Sequence, residues 1–142
     1  MGYVGKRRLT SLKHGRPRRG VAATELAVCM PVLVLVVLAT IEACAMIFVQ
    51  QSLSVAAYEG ARVALTPGVK AANVEYQCEL ILDDRNIKGA AVSVTPSNIS
   101  GAAEGTWLTI QTSAPFDKNS MVGGWLFGSR TLTAAVQMIK ER

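Results

Sequence analysis

One uninterrupted apolar segment constrains the fold of this chain more than any other feature. The 24 residues from Leu26 to Val49 contain a single charge, Glu42, and about 20 apolar residues are enough to cross a bilayer as a helix. Its many Leu, Val and Ile residues each favour insertion by about 0.3–0.6 kcal/mol, whereas one acid at mid-membrane opposes it by about 3 kcal/mol. The segment therefore predicts a transmembrane helix over about residues 26–49, with Glu42 close to its outer edge.

The distribution of charge sets the orientation of this helix. Residues 1–20 carry seven Lys and Arg side chains and no acid, which leaves residues 21–142 with a net charge of −2 out of the total of +5. A basic cluster directly before an apolar span keeps the N-terminus in the cytoplasm. Such a cluster can also bind nucleic acid, but orientation is the simpler explanation. We therefore expect membrane lipid and no nucleic acid among the partners.

The first helix is predicted to continue beyond the bilayer. In "VQQSLSVAAYEGARVAL" small apolar residues recur on one helical face, and Thr66-Pro67-Gly68 ends the pattern. This face packs either on the chain's own domain or on another helix. A second helix is predicted within "VKAANVEYQCELILDDRNI", with its apolar face formed by Val69, Ala72, Tyr76, Leu80 and Ile87.

The remaining residues predict a short antiparallel sheet. Three runs, "AAVSVTP", "TWLTIQTSAPF" and "RTLTAAVQMIK", show the alternation and β-branched residues of strands. The fold class is therefore α+β. We divide the chain into a basic leader (1–20), a long helix (21–66) and a small α+β domain (67–142). Trp107 and Trp125 are expected to anchor the core of that domain.

The sequence contains no recognisable catalytic or cofactor site. The only histidine, His14, lies in the basic leader, and no nucleophile with a base, carboxylate pair or metal-spaced cluster is apparent. Cys29 and Cys44 are about 22 Å apart along a helix and cannot form a disulfide within one chain. Cys78 is either a small buried hydrophobe or a disulfide partner for another protein. We expect a protein that is not an enzyme and that binds no cofactor and no metal.

Three kinds of export signal can be compared at the N-terminus. A secretory signal is cut after the apolar region, but the candidate Ala43-Cys44-Ala45 directly follows Glu42 and precedes more apolar residues. A lipoprotein signal requires a small-residue context before a cysteine, but Cys29 follows Val28 ahead of most of the apolar run and Cys44 follows Glu42-Ala43, so neither fits well. The third kind is cut before the apolar region, and the residues around Gly20 fit this arrangement best.

At this junction the sequence resembles a known family. The run "RRGVAATE" (18–25) is similar to a type IV prepilin site, in which glycine precedes the mature chain and glutamate is its fifth residue. More narrowly, "GVAATELAVCMPVLVLVVLATIEA" and "AAYEGARVAL" resemble the TadE-like minor pseudopilins of tight-adherence (Tad, Flp-type) pilus systems. Leu26 stands where the major Flp pilins have an aromatic residue, and the domain is larger than theirs, so the resemblance favours a minor pseudopilin. It covers about residues 18–66.

The resemblance implies a processing step and an assembly role. A prepilin peptidase would cut between Gly20 and Val21 on the cytoplasmic side of the bacterial inner membrane. Glu25 would then pair with the new amino terminus at Val21 of a neighbour and set the axial register; alternatively, it only interacts with the helix dipole. Pro31 removes one helical hydrogen bond and is a candidate kink. The resemblance also marks four candidate helix-interface residues: Glu42, Glu59, Gly60 and Arg62.

The partners and location follow from the same resemblance. They are the prepilin peptidase, other pilins or pseudopilins and the proteins of the Tad assembly platform, with the C-terminal domain in the periplasm. Incorporation into an extracellular pilus, at its tip or along its shaft, stays open. The alternative function is a single-pass, membrane-anchored periplasmic protein that binds a ligand or partner and keeps its leader.

Overall fold

A computed structural model describes residue 1, residues 19–124 and residues 127–140. Most of the basic leader, including His14, and Trp125 lie outside the described residues. Two helices precede three strands: α1 (Arg19–Ala64), α2 (Ala71–Asp84), β1 (Ala91–Thr95), β2 (Trp107–Pro115) and β3 (Thr131–Ile139). This order confirms the predicted α+β fold. The chain forms two compact units, Met1–Val34 and Leu35–Arg142.

Helix α1 is 46 residues long and continues through Pro31. Every residue from Gly20 to Val37 is exposed, and the most apolar window of the helix has a mean hydropathy of 2.8. Within the described residues, α1 is the one helix long and apolar enough to cross a membrane. A helix that is apolar on all sides and exposed needs lipid or other helices around it.

The second half of α1 forms the centre of the core of the Leu35–Arg142 unit. The face made of Leu53, Ala56, Ala57, Ala61 and Ala64 is fully buried. Of the two alternatives for this small-residue face, the structure shows packing on the chain's own domain. Alanine side chains bring the axis of α1 close to its neighbours, which is the usual effect of small residues at a helix interface.

Helix α2 buries a different face from the predicted one. Val74, Cys78 and Leu82 are its buried residues, whereas Tyr76 is 65% exposed and Leu80 is 44% exposed. The prediction for these two residues was wrong. The reason is tertiary: α2 contacts α1 beside Gly60, where the compact Val and Cys side chains fit and a tyrosine ring does not.

The three strands form one antiparallel sheet in the order β1-β2-β3. Alternate residues of the central strand, from Leu108 to Ala114, are buried. The buried hydroxyl of Thr112 donates a hydrogen bond to the carbonyl of Leu53 at 2.9 Å. The side-chain amide of Gln50 donates to the carbonyl of Thr133 at 2.9 Å. These bonds fix the sheet on the second half of α1.

Trp107 does not anchor the core. It is 59% exposed and pairs with Ile139 on the outer face of the sheet. The strict alternation of β2 explains this, because burial of Leu108 and Ile110 turns Trp107 to the opposite face. Among the described residues, the largest fully buried side chain is instead that of Phe116, directly after β2. The expectation for Trp107 was therefore wrong.

Candidate functional site

The junction between Gly20 and Val21 lies in the first turns of α1 and is exposed. A Cβ atom added to Gly20 would meet no described atom within 4 Å. The hydroxyl of Thr24 donates to the carbonyl of Val21 at 2.7 Å and to that of Gly20 at 3.3 Å. No close contact in the described part of the chain requires glycine at position 20.

Glu25 and Pro31 lie on the exposed apolar stretch of α1. The carboxylate of Glu25 forms no ion pair or hydrogen bond with the described residues. It follows Val21 by four residues, which is about 6 Å along the helix axis and roughly the same side of the helix. The structure thus leaves this acid without a partner among the described residues of its own chain.

Glu42, in contrast, is fully buried within the Leu35–Arg142 unit. The hydroxyl of Ser120 donates to its Oε1 at 2.7 Å, and the backbone N–H of Val122 donates to its Oε2 at 3.2 Å. The Ser120 oxygen in turn accepts a bond from the N–H of Gly124 at 2.6 Å. The loop after β2 therefore solvates this carboxylate, in place of the bilayer surface that the sequence interpretation assumed.

This burial changes where a membrane span can end. From Glu42 onward, α1 packs inside its own domain through Ala45 and Val49. The exposed apolar stretch of α1 that remains runs from Gly20 to Ile41 and is about 33 Å long as a helix, which is long enough for a hydrocarbon layer of about 30 Å. The span over residues 26–49 stays a prediction.

The block from Glu59 to Arg62 divides into an exterior and an interior part. Arg62 and Glu59 form an exposed ion pair at 3.6 Å, which contributes about 0–1 kcal/mol. Gly60 is buried, and an added Cβ would collide with the sulfur of Cys78 on α2 and lie 3.4 Å from Ile110 on β2. Of the four helix-interface candidates, Glu42 and Gly60 thus make contacts inside their own domain.

Cys78 is a core residue. It is fully buried, and its thiol donates to the carbonyl of Ala56 at 3.3 Å. Burial raises the pKa of this thiol to about 11, with further increases from the nearby charges of Glu75 and Glu79. All three cysteines are free. The structure supports the small buried hydrophobe over the disulfide to another protein.

Sequence reasoning missed a groove in the Leu35–Arg142 unit. It lies beside α1, next to the end of α2 and the loop after β2, and its volume is about 630 Å³. Its walls are mainly apolar, with three cationic side chains. No periodic pattern in the sequence predicts this groove, because its residues come from three separate segments. We call it the lysine groove; it includes Ile41, Cys44, Phe48, Lys88, Lys118 and Met121.

Most of α1 matches a known protein family. Residues 20–62 match the model of the family described as TadE-like protein. The match begins at Gly20 and takes in the exposed apolar stretch, Glu42 and the block from Glu59 to Arg62. No curated protein and no solved structure matches the chain.

The TadE-like segment supports involvement in a Tad pilus system. TadE-like pilus components are structural proteins, and the family suggests pilins and assembly proteins as partners. The single apolar helix is consistent with a single-pass membrane anchor. No group of three or more potential metal ligands occurs in residues 19–124 and 127–140.

Proposed function

We propose that the TadE-like chain is a minor pseudopilin of a Tad pilus, that a prepilin peptidase cuts it between Gly20 and Val21, and that it assembles through α1. The observation that carries this proposal is the start of the family match at Gly20, where the basic leader meets the apolar helix. The N-terminus then lies in the cytoplasm and the domain from Glu42 onward in the periplasm, because the basic cluster stays inside.

The local structure supports the cleavage site. A glycine that the folded chain does not need is explained by a protease that approaches the backbone closely, since glycine presents no side chain. Glycine also weakens a helix by about 1 kcal/mol relative to alanine, so the turn that contains the Gly20 carbonyl unwinds more readily for the peptidase. A bulky charged residue at position 20 removes both advantages.

Cleavage would prepare the helix for assembly. It removes residues 1–20 with their seven basic side chains and leaves an amino group at Val21. In a bundle of apolar helices the carboxylate of Glu25 is costly without a partner. The amino terminus of a neighbouring subunit supplies one, and loss of one partner from such a buried pair costs about 3–5 kcal/mol. The pair would fix the axial register between subunits.

The assembly role is tested by comparing two carboxylates at different places in the chain. Glu25→Ala removes the acid from the apolar stretch of α1, while Glu79→Ala removes an exposed acid from α2. We expect Glu25→Ala to be processed but depleted from sheared pilus fractions and from cross-links to pilins, and Glu79→Ala to behave as wild type. Wild-type assembly of Glu25→Ala would refute the pairing and leave only the interaction with the helix dipole.

The processing step is tested separately with Gly20→Arg. This variant should accumulate in the membrane with its leader attached. If it matured normally, the cleavage site would be elsewhere. A wild-type chain that kept its leader would favour the alternative of an anchored periplasmic binding protein.

A further inference from the structure

We propose that the lysine groove binds one anionic phospholipid, with its phosphate at the lysines and an acyl chain along the apolar wall. This inference goes beyond pilus assembly. It depends on α1 crossing the membrane and is independent of cleavage and of the pairing of Glu25.

The position of the groove along α1 suits a lipid. Its first lining residues are Thr40 and Ile41, the last residues of the stretch that is left for the bilayer. A helix from Gly20 to Ile41 is about as long as the hydrocarbon layer is thick, about 30 Å. The groove therefore begins at the level where phospholipid phosphates lie.

The apolar wall suits an acyl chain. Ile41, Phe48 and Met121 line the groove, and all three are large hydrophobic residues with exposed side chains. Covering such surface is favourable by about 25 cal/mol per Å². The volume of about 630 Å³ lies within the range of about 300–1,000 Å³ typical of small-molecule sites.

The cationic side chains suit a phosphate. Arg85, Lys88 and Lys118 line the groove, all three are exposed, and none of them forms an ion pair with another described residue. No acidic residue lines the groove. Because Arg85 caps α2 and also interacts with the dipole at its C-terminus, the two lysines are the more specific phosphate ligands.

The two lysines are held together by a fixed turn. Asn119 accepts a bond from the N–H of Lys88 at 2.8 Å and donates to the carbonyl of Lys88 at 3.0 Å. The side chain of Lys118 lies across Gly89, with its Nζ 3.3 Å from the position of an added Cβ. The Asn119 side chain thus ties the backbone of Lys88 to the loop that carries Lys118, and these contacts do not occupy the ammonium groups of the two lysines.

Charge complementarity favours a lipid over the helix of a second subunit. The stretch of α1 from Gly20 to Ile41 carries one charge, Glu25, so a helix of this kind in the groove would leave most of the three cations unpaired. An anionic phospholipid satisfies the cations and covers the apolar wall at once.

The experiment uses the full chain, purified in detergent and offered phosphatidylglycerol and phosphatidylcholine in equal amounts. Native mass spectrometry measures how much of each lipid stays bound. The test variant is Lys88→Gln with Lys118→Gln, and the control is Lys70→Gln with Arg130→Gln, which makes the same change of charge at exposed residues that do not line the groove. The basic leader is present in every variant, so its contribution cancels.

We expect wild type and control to retain phosphatidylglycerol in preference to phosphatidylcholine. Each lysine replaced should lower retention of phosphatidylglycerol about fivefold, since one cation near an anionic surface contributes about 1 kcal/mol. Cys44→Trp, which fills the apolar wall, should lower retention with both lysines intact. Protection of Cys78 from alkylation confirms that each variant is folded.

Two results would overturn the proposal. One is equal retention of phosphatidylglycerol by the lysine variant and the control. The other result concerns Cys44→Trp: this variant would retain as much lipid as wild type but would no longer cross-link to a second copy of the chain. The groove would then be a contact between subunits and not a lipid site.

Discussion

Replacement of Glu42 by alanine is expected to release the loop that follows β2. The carboxylate accepts one hydrogen bond from Ser120 at 2.7 Å and one from the Val122 amide at 3.2 Å. A hydrogen bond to a charged group contributes about 1.5–3 kcal/mol. Loss of the bond should therefore speed exchange of the Val122 amide hydrogen by about 10- to 150-fold, if opening of the loop limits exchange.

The effect on overall stability should be smaller than the sum of the two bonds. Removing the carboxylate also removes the cost of burying it, and water can reach the partly exposed Ser120 and Val122. We expect the free energy of unfolding to fall by about 1–3 kcal/mol. Glu42→Gln keeps one acceptor oxygen and should fall between wild type and Glu42→Ala.

Hydrogen exchange measured by mass spectrometry or NMR on the full chain in detergent separates the local effect from the overall one. The matched control is Glu59→Ala, which removes a carboxylate from the same helix at an exposed site. Unchanged exchange at Val122 in Glu42→Ala, or equal acceleration in Glu59→Ala, would refute the interpretation that Glu42 holds this loop.

Two further predictions concern the contact between α1 and α2. Gly60→Ala places a methyl group against the Cys78 sulfur and should destabilise the domain by about 1–3 kcal/mol. Denaturant unfolding should show that adding Cys78→Ala to this variant recovers part of the lost stability. Purely additive effects of the two substitutions would contradict the contact. The pKa of the Cys78 thiol rises from 9.0 to about 11 in the folded chain, so its contribution to stability is complete below pH 9 and is lost as the pH rises towards 11. Unfolding measured over that interval should be less dependent on pH in Cys78→Ala, and an unchanged slope would contradict the burial of a protonated thiol.

Local patterns predict much of this fold. The apolar stretch predicts α1, the run from Thr66 to Gly68 predicts its end near Ala64, and alternation predicts the three strands. Each of these signals acts through neighbouring residues and the periods of helices and strands. For the same reason the resemblance around Gly20 anticipates the family match over residues 20–62.

What could not be predicted depends on contacts distant in sequence. Glu42 meets Ser120 and Val122 across about 80 positions of the chain, and no periodic pattern links them. The buried face of α2 is selected by the space beside Gly60. Likewise, the lysine groove forms only where three separate segments meet. The sequence alone therefore does not show that its cationic side chains line one groove.

The amino terminus of the mature protein tests the central claim most directly. The chain is extracted from membranes of cells that contain a prepilin peptidase, and its first residue is determined by N-terminal sequencing and intact mass. The proposal predicts a chain that begins at Val21 and lacks residues 1–20. A chain that begins at Met1, or one cut after Ala45, would contradict the assignment of this protein as a processed pseudopilin.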